Sequence, residues 1–302
     1  MKLEYHLWDV FTDRALAGNA LAVVPDAAGL TDAQMQAVAR EFNLSETSFV
    51  LPSSVADARA RFFTPEVELP FAGHPTLGTA YALRRLGRVS GETVRLELAA
   101  GVVPVTFERD AAGEERAWMA QGSPRLLSEV PQRSAVAAAL GLGVDDLVAT
   151  LPLQVVSAGL PFLLAPLDSL GVLGRASLEP SRLPESLPPE HRAVLAFTLD
   201  VPDADVRCRM FGAALGVRED PATGSAHGPL GWYLAHHELV PLAGESFTVL
   251  SHQGLEMGRP SALWVRVRRA EADDPAEGRR EQRYAVSVGG GAVLVGRGEL
   301  YL

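Results

Sequence analysis

Short runs in which hydrophobic and polar residues alternate occupy most of the chain, and helical spacing of apolar residues interrupts them only a few times. Alternation predicts half-buried strands, whereas apolar residues three and four apart favour helices. Strands are predicted at 3–11, 20–25, 58–64, 193–199, 205–211 and 292–296, among others. Helices are predicted from the capping box Thr31–Gln34 to about Asn43, from about Pro75 to Leu86, and from about Ala222 to His236.

Two similar series of elements follow each other along the chain. Residues 74–80 read HPTLGTA and residues 220–226 read DPATGSA, so the pattern [HD]-P-x-x-G-[TS]-A recurs at an offset of roughly 146 positions, each time after an Arg-x-Phe segment. A second match relates residues 17–26 to residues 158–168 at an offset of roughly 141, which favours an internal duplication. We therefore expect an α+β fold with two pseudo-symmetric lobes, each an antiparallel barrel-like sheet around a central helix. The first lobe would comprise residues 1–125 with a C-terminal strand at about 290–302, and the second lobe residues 126–289.

The two repeated motifs are expected to begin helices. Pro75 and Pro221 suit the first helical position, Asp220 suits the N-cap, and His74 is a weaker cap. If the two helix starts face each other, their unpaired N–H groups and dipoles would form a site for an anion. His74 and Asp220 are therefore either simple caps or polar groups beside one ligand, and both interpretations stay open.

The small residues in these motifs also have two interpretations. Gly73 and Gly224 could be packing glycines, and Ser225 could be an ordinary first-turn hydroxyl. Their backbone N–H groups would equally suit a cradle for a carboxylate or an oxyanion.

Composition excludes several classes of protein. With 302 residues, 47% of them hydrophobic, the chain is not largely disordered, and a net charge of −10 argues against nucleic-acid or anionic-membrane partners. The single cysteine, Cys208, excludes an internal disulfide and a cysteine-built metal site. The N-terminal residues lack a long apolar segment and prolines break the apolar stretch 147–167, so a soluble, cytoplasmic protein is expected.

Few residues carry candidate chemistry outside the repeated motifs. Glu46 is either a solvated loop carboxylate or, among the apolar residues around it, a desolvated group suited to proton transfer. His227, His236 and His237 are interpreted as surface or helix-end histidines because no metal-ligand spacing recurs. Without a dinucleotide or P-loop motif, no cofactor and no metal is expected.

Four segments together resemble the PhzF-type phenazine-biosynthesis isomerase family, which shares the diaminopimelate epimerase fold. They are Asn19, the NLSETSFV turn at 43–50, ELPFAGHP at 68–75 and EDPATGSA at 219–226. The resemblance implies two pseudo-symmetric lobes with the active site between them, a homodimer and no cofactor. The best-known reaction of the family isomerises a dihydro-hydroxyanthranilate by moving a proton between ring carbons.

The resemblance also assigns roles to residues. Glu46 matches the acid/base of the family, and His74, Asp220 and Ser225 match its other polar active-site positions. Gly73 and Gly224 match the turns where epimerase relatives place two cysteines, so a two-cysteine racemase mechanism is not expected here. Asn19, Gly73, Gly224 and Ser225 are the expected substrate-binding residues.

The expected function is therefore an isomerase that moves a proton between carbons of a small carboxylate-bearing metabolite. Glu46 would carry the proton, while His74 and Asp220 would orient the substrate and tune Glu46. A catalytically silent binding protein for small anions is the alternative, and a turnover screen against a metabolite pool separates the two. The resemblance predicts the type of reaction better than it predicts the substrate.

Overall fold

The computed structural model describes residues 1–110, 112–212, 217–270 and 283–302. The strands are β1 Lys2–Val10, β2 Asn19–Val24, β3 Glu46–Leu51, β4 Ala58–Phe63, β5 Glu68–Leu69, β6 Thr93–Leu98, β7 Gly101–Arg109, β8 Glu115–Ala120, β9 Arg125–Glu129, β10 Gln154–Ser157, β11 Pro161–Pro166, β12 Val194–Thr198, β13 Val206–Phe211, β14 Ser246–Gln253, β15 Ser261–Ala270, β16 Arg283–Gly290 and β17 Ala292–Tyr301. The helices are α1 Asp32–Phe42, α2 Gly73–Arg85, α3 Arg133–Ala139, α4 Leu170–Arg175 and α5 Gly224–His236. This content of many strands and few helices confirms the predicted α+β class.

The chain divides into two compact units. Unit 1 consists of Met1–Met119, Gly258–Ala262 and Gly289–Leu302, and unit 2 consists of Ala120–Met257 and Leu263–Val288. None of the helices within the described ranges is long and apolar enough to cross a membrane.

Unit 1 contains a sheet in which strands pair in the order β17, β1, β2, β3, β4, β6, β7 and β8. The β2–β3 and β4–β6 pairs are parallel, and the other pairs of this series are antiparallel. Parallel neighbours need a crossover connection, which α1 supplies between β2 and β3 and α2 supplies between β4 and β6.

Unit 2 repeats this arrangement. Its strands pair in the order β9, β10, β11, β12, β13 and β14, with parallel pairing at β11–β12 and β13–β14. Helix α4 lies in the β11–β12 connection and α5 in the β13–β14 connection. The duplication is thus present in the topology, but the sheets are mixed. The expectation of antiparallel sheets was wrong because each unit contains two strand–helix–strand crossovers.

One buried helix forms the centre of each unit. Helix α2 is buried along ten of its 13 residues. A Cβ atom at Gly78 would lie 2.5 Å from Leu21 Cδ2 and 2.8 Å from Val10 Cγ2, so this glycine lets the helix approach β1 and β2 closely. At Gly231 of α5, a Cβ atom would lie 2.8 Å from Val265 Cγ1. Substituting either glycine would therefore force the core apart.

Local signals set the position of α1. The Thr31 hydroxyl accepts from the backbone N–H of Gln34, whose side chain accepts from the backbone N–H of Thr31 in return. Asn43 ends the helix in the left-handed conformation, with φ 50°. Both predicted boundaries of this helix are confirmed, and they fix where Glu46 enters β3.

Candidate active site

Glu46 and Asn19 lie at the starts of two neighbouring parallel strands. Asn19 is the first residue of β2, Glu46 is the first residue of β3, and Glu46 is in register with Leu21. The side-chain oxygen of Asn19 accepts a hydrogen bond from the Ser45 hydroxyl at 3.1 Å. This contact ties the turn before Glu46 to the start of β2.

The Glu46 carboxylate faces His74. Oε2 of Glu46 lies 3.5 Å from Nε2 of His74, and the two side chains are 18% and 6% exposed. Burial lowers the pKa of His74 to about 3, and a hydrogen bond to the backbone of Ala20 offsets only part of this effect. At neutral pH the pair is therefore a carboxyl group beside an uncharged imidazole, not a salt bridge.

The helix starts differ from the predicted ones. Helix α2 begins at Gly73 after the extended residue Ala72, so His74 is its second residue and not its cap. Helix α5 begins at Gly224 with Thr223 as its N-cap, four residues after Asp220. Both predicted caps, His74 and Asp220, were wrong.

Asp220 lies before the helix, where it forms an isolated antiparallel β-bridge with Met210 and is also bound by two side chains. Its carboxylate accepts from the Thr223 hydroxyl at 2.6 Å, and its backbone carbonyl accepts from the Gln253 amide at 2.6 Å. The oxygen of the same Gln253 amide accepts from the backbone N–H of Thr223 at 3.2 Å. Because Asp220 and Thr223 are bound in this way, the helix cannot begin before Gly224.

These helix starts change the register of the internal repeat. Gly73 and Gly224 are each the first residue of a central helix, so the structural counterpart of His74 is Ser225, not Asp220. The signal for this register is the pattern E-x-P-x-x-G, which begins at Glu68 and at Glu219. The offset between the two copies of [HD]-P-x-x-G-[TS]-A differs from that of E-x-P-x-x-G by about five residues. The pattern [HD]-P-x-x-G-[TS]-A therefore paired His74 with Asp220, which was wrong.

The first turns of the two central helices share one chemical property. Among the described residues, the N-cap residues Ala72 and Thr223 form no side-chain cap hydrogen bond, and neither first turn contains an acidic residue. The first N–H groups of a helix have no partner within the helix, and they carry the positive end of its dipole. The backbone at Gly73 and His74 in unit 1, and at Gly224 and Ser225 in unit 2, is therefore of a kind that can bind an anion.

His227 is deeply buried, so its interpretation as a surface or helix-end histidine was wrong. Its Nδ1 lies 2.8 Å from the Thr223 carbonyl, and its Nε2 lies 2.9 Å from the Ser251 hydroxyl. Burial lowers the pKa of His227 to about 4. Because a carbonyl only accepts, Nδ1 carries the proton and donates it to Thr223, while Nε2 accepts from Ser251.

The other two histidines lie where the sequence places them. His236 is the last residue of α5 and stacks on Trp232 at 4.3 Å, and His237 is the C-cap. In the described part of the chain, no three His, Cys, Asp or Glu side chains are grouped so that they could hold a metal ion.

The described contacts thus group the candidate residues into two sets, one in each unit. Asn19, Glu46, Gly73 and His74 belong to unit 1, where the contact between Glu46 and His74 joins a possible base to the start of α2. Asp220, Gly224 and Ser225 belong to unit 2, where Asp220 bonds the N-cap of α5. Sequence reasoning missed two residues of β14 because no motif surrounds them. Gln253 binds Asp220 and Thr223, and Ser251 binds His227.

A family model described as "Phenazine biosynthesis-like protein" matches residues 8–298. The chain belongs to this family. It is 38% identical to the trans-2,3-dihydro-3-hydroxyanthranilate isomerase of Pseudomonas aeruginosa, over 99% of each chain. The protein is accordingly an enzyme of the isomerase class.

Solved structures agree with this assignment. A PhzF-family phenazine biosynthesis protein of Bacillus anthracis superposes with a TM-score of 0.88 at 30% identity, covering 100% of both chains. A hydroxyproline epimerase of Agrobacterium vitis superposes with a TM-score of 0.59 at 16% identity, covering 99% of this chain and 92% of the epimerase. The second likeness concerns the fold alone, and it confirms the predicted diaminopimelate epimerase-like class.

Proposed function

We propose that this enzyme moves a proton between two carbons of a small carboxylate-bearing metabolite, without a cofactor, and that Glu46 is the proton carrier. The observation that carries the proposal is the contact between Glu46 and His74, at 3.5 Å, beside the uncapped start of α2. A base that removes a proton from carbon must be held near that carbon and must return the proton in each cycle. Glu46 is held in a fixed position, because β3 and the turn at Ser45 fix its backbone.

His74 supports this cycle as a neutral group. With a pKa of about 3, its imidazole stays uncharged at pH 7, so it places no positive charge beside Glu46. After Glu46 takes a proton, the carboxylic acid has the unprotonated ring nitrogen of His74 at 3.5 Å as a hydrogen-bond acceptor. The pair can thus hold the proton briefly and give it back to a second carbon of the substrate.

The helix starts serve the other end of the substrate. A carboxylate placed at the first turn of α2 would accept from the backbone N–H groups of Gly73 and His74, and Asn19 would contact the substrate beside Glu46. Unit 2 would contribute Gly224 and Ser225 in the same manner, and Asp220 would orient the substrate. The duplicated helix starts support a shared role in binding the substrate.

Turnover of trans-2,3-dihydro-3-hydroxyanthranilate, the compound in the name of the Pseudomonas aeruginosa relative, is the first test. We expect isomerisation of this compound or of a related cyclic carboxylate found by screening a metabolite pool. Substrate deuterated at the donor carbon should react several-fold more slowly, because that C–H bond breaks in the reaction. If screened compounds bind but none of them is turned over, the proposal is contradicted and a catalytically silent binding protein is favoured.

The same assay tests the absence of a cofactor. Activity should survive exhaustive dialysis against a chelator, because the proposed chemistry needs only Glu46 and its neighbours. Activity that is lost on dialysis and restored by zinc or magnesium would contradict this part of the proposal.

A further inference from the structure

In each unit, an arginine forms a bidentate contact with a glutamate that lies five residues before the central helix begins. In unit 1, Nε and Nη2 of Arg61 donate to the two carboxylate oxygens of Glu68, both at 2.7 Å. The third nitrogen, Nη1, donates to Asp32 at 2.6 Å, and the guanidinium carbon lies 5.2 Å from the centre of the Phe63 ring. We call Arg61 and Glu68 the first clamp.

Unit 2 repeats these contacts with different residues. Nε and Nη2 of Arg209 donate to the two oxygens of Glu219, both at 2.8 Å. Nη1 donates to the Ala176 carbonyl at 2.6 Å, and the guanidinium carbon lies 5.0 Å from the centre of the Phe211 ring. Arg209 and Glu219 form the second clamp, and its two side chains are 10% and 15% exposed.

Each clamp holds the same point of the repeat. Glu68 begins the E-x-P-x-x-G segment that ends at Gly73, and Glu219 begins the one that ends at Gly224. Each arginine lies on the strand before this segment, β4 or β13, so the segment is anchored to the sheet at one end. The hydrogen-bonded carboxylate raises the pKa of Arg61 and of Arg209, so both guanidinium groups are charged in this contact.

The two clamps lie before the central helices and leave the N–H groups of the first turn unoccupied, which a helix cap would not do. An Asp or Ser cap fixes a helix start, but its side chain occupies the N–H groups that an anion needs. Among the residues that the structure describes, the N-cap residues Ala72 and Thr223 form no side-chain cap hydrogen bond, so the starts need another anchor. A two-point Arg–carboxylate contact supplies a fixed geometry without touching the first turn.

We infer that Arg61 and Arg209 are positioning residues, each of which holds the start of a central helix in place so that its first turn can bind the substrate. This inference rests on the proposed function, because it assigns the two helix starts to the substrate. Neither arginine touches the reacting atoms; each acts through its glutamate.

The test compares Arg61→Gln, Arg61→Lys, Arg209→Gln and Arg209→Lys. Lysine keeps the charge but cannot make the two-point contact with the glutamate, so each Lys variant should differ less from the parent than the Gln variant at the same position. Arg116→Gln and Arg109→Gln are matched controls, because these arginines lie on β8 and β7, which do not lead into a central helix, and pair with Asp110 at 2.6 Å and with Glu115 at 3.3 Å.

The first readout needs no substrate. In protein labelled with ¹⁵N-glycine, the backbone order parameter of Gly73 should fall in Arg61→Gln from about 0.85, typical of rigid backbone, towards about 0.6, and that of Gly224 should do so in Arg209→Gln. The lysine variants should lie between the Gln variants and the parent, and the controls should match the parent. Unchanged order parameters at both glycines in folded Gln and Lys variants would overturn the inference.

The second readout uses a substrate that the parent turns over. Arg61→Gln should lower kcat more than it raises KM, because α2 carries His74 beside Glu46, and kcat/KM should fall by roughly 10- to 100-fold in either Gln variant. Folded Gln variants with parental kcat and KM but a lower melting temperature would show a merely structural role and overturn the inference. If the amides respond but no substrate is turned over even by the parent, the clamps stand and the proposed function fails.

Discussion

Acidification should destabilise the folded protein through His227. This imidazole is fully buried, donates to the Thr223 carbonyl and accepts from Ser251, and burial lowers its pKa from 6.5 to about 4. Below pH 6.5 the unfolded chain binds a proton at this site that the folded protein does not bind. The free energy of unfolding therefore falls as the pH drops from 6.5, and this contribution stops changing near pH 4.

The size of the effect follows from the shift in pKa. One pKa unit corresponds to about 1.4 kcal/mol, so a shift from 6.5 to about 4 removes on the order of 3 kcal/mol from the unfolding free energy between these two pH values. His227→Gln removes the titrating group while keeping a side chain that can form hydrogen bonds.

Urea unfolding between pH 7.5 and pH 4 provides the assay. Between about pH 6.5 and pH 4 the parent should lose about 1.4 kcal/mol per pH unit more than His227→Gln, and above pH 6.5 the two slopes should agree, because other titrating groups are common to both proteins. His236→Gln, which removes an exposed imidazole at the end of α5, controls for the loss of a histidine. Equal slopes for the parent and His227→Gln, or a ring that titrates near pH 6.5 by NMR, would refute the reasoning.

Three further predictions concern the central helices. Gly78→Ala should lower the unfolding free energy by about 1–3 kcal/mol, because the new Cβ would lie 2.5 Å from Leu21 Cδ2. Gly174→Ala is the control and should not lower this free energy, since no neighbouring atom lies within 4 Å of the new Cβ. Equal stability of the two variants in urea would contradict the prediction. Sulfate and small carboxylates should raise the melting temperature of the parent but not of Ser225→Asp, whose added charge repels anions, and an unchanged response would place the anion site elsewhere. With a pKa of about 3, His74 should stay neutral down to pH 5 in ¹⁵N NMR spectra, so a ring that charges near pH 6.5 would contradict its role as a neutral partner of Glu46.

Local sequence signals predicted α1 correctly, but they placed Glu46 in a turn, whereas it is the first residue of β3. The capping box at Thr31 and the left-handed Asn43 fix α1, and the turn that follows brings Glu46 to the start of β3. These signals act over a few residues, so the sequence alone reveals them. The two central helices and the internal duplication were also visible in the repeated motifs.

Contacts between distant residues could not be predicted in the same way. Gln253 and Ser251 lie on β14 and bind Thr223 and His227, which are more than twenty residues away in the sequence. These bonds keep Asp220 out of the helix, so a segment that reads as an Asp-Pro helix start lies before the helix instead. The parallel strand pairs were missed for a related reason, since alternation predicts a strand but not the direction of its neighbour.

Replacement of the proposed proton carrier tests the central claim most directly. Glu46→Gln keeps the shape of the side chain but cannot carry a proton, so on a substrate that the parent turns over kcat should fall by roughly 10²- to 10⁴-fold, with substrate affinity largely kept. Glu41→Gln, which changes an exposed glutamate of α1, should retain parental kcat. Near-parental kcat of Glu46→Gln would contradict the account and move the role of the base to Asp220, whose Asn variant should be measured alongside.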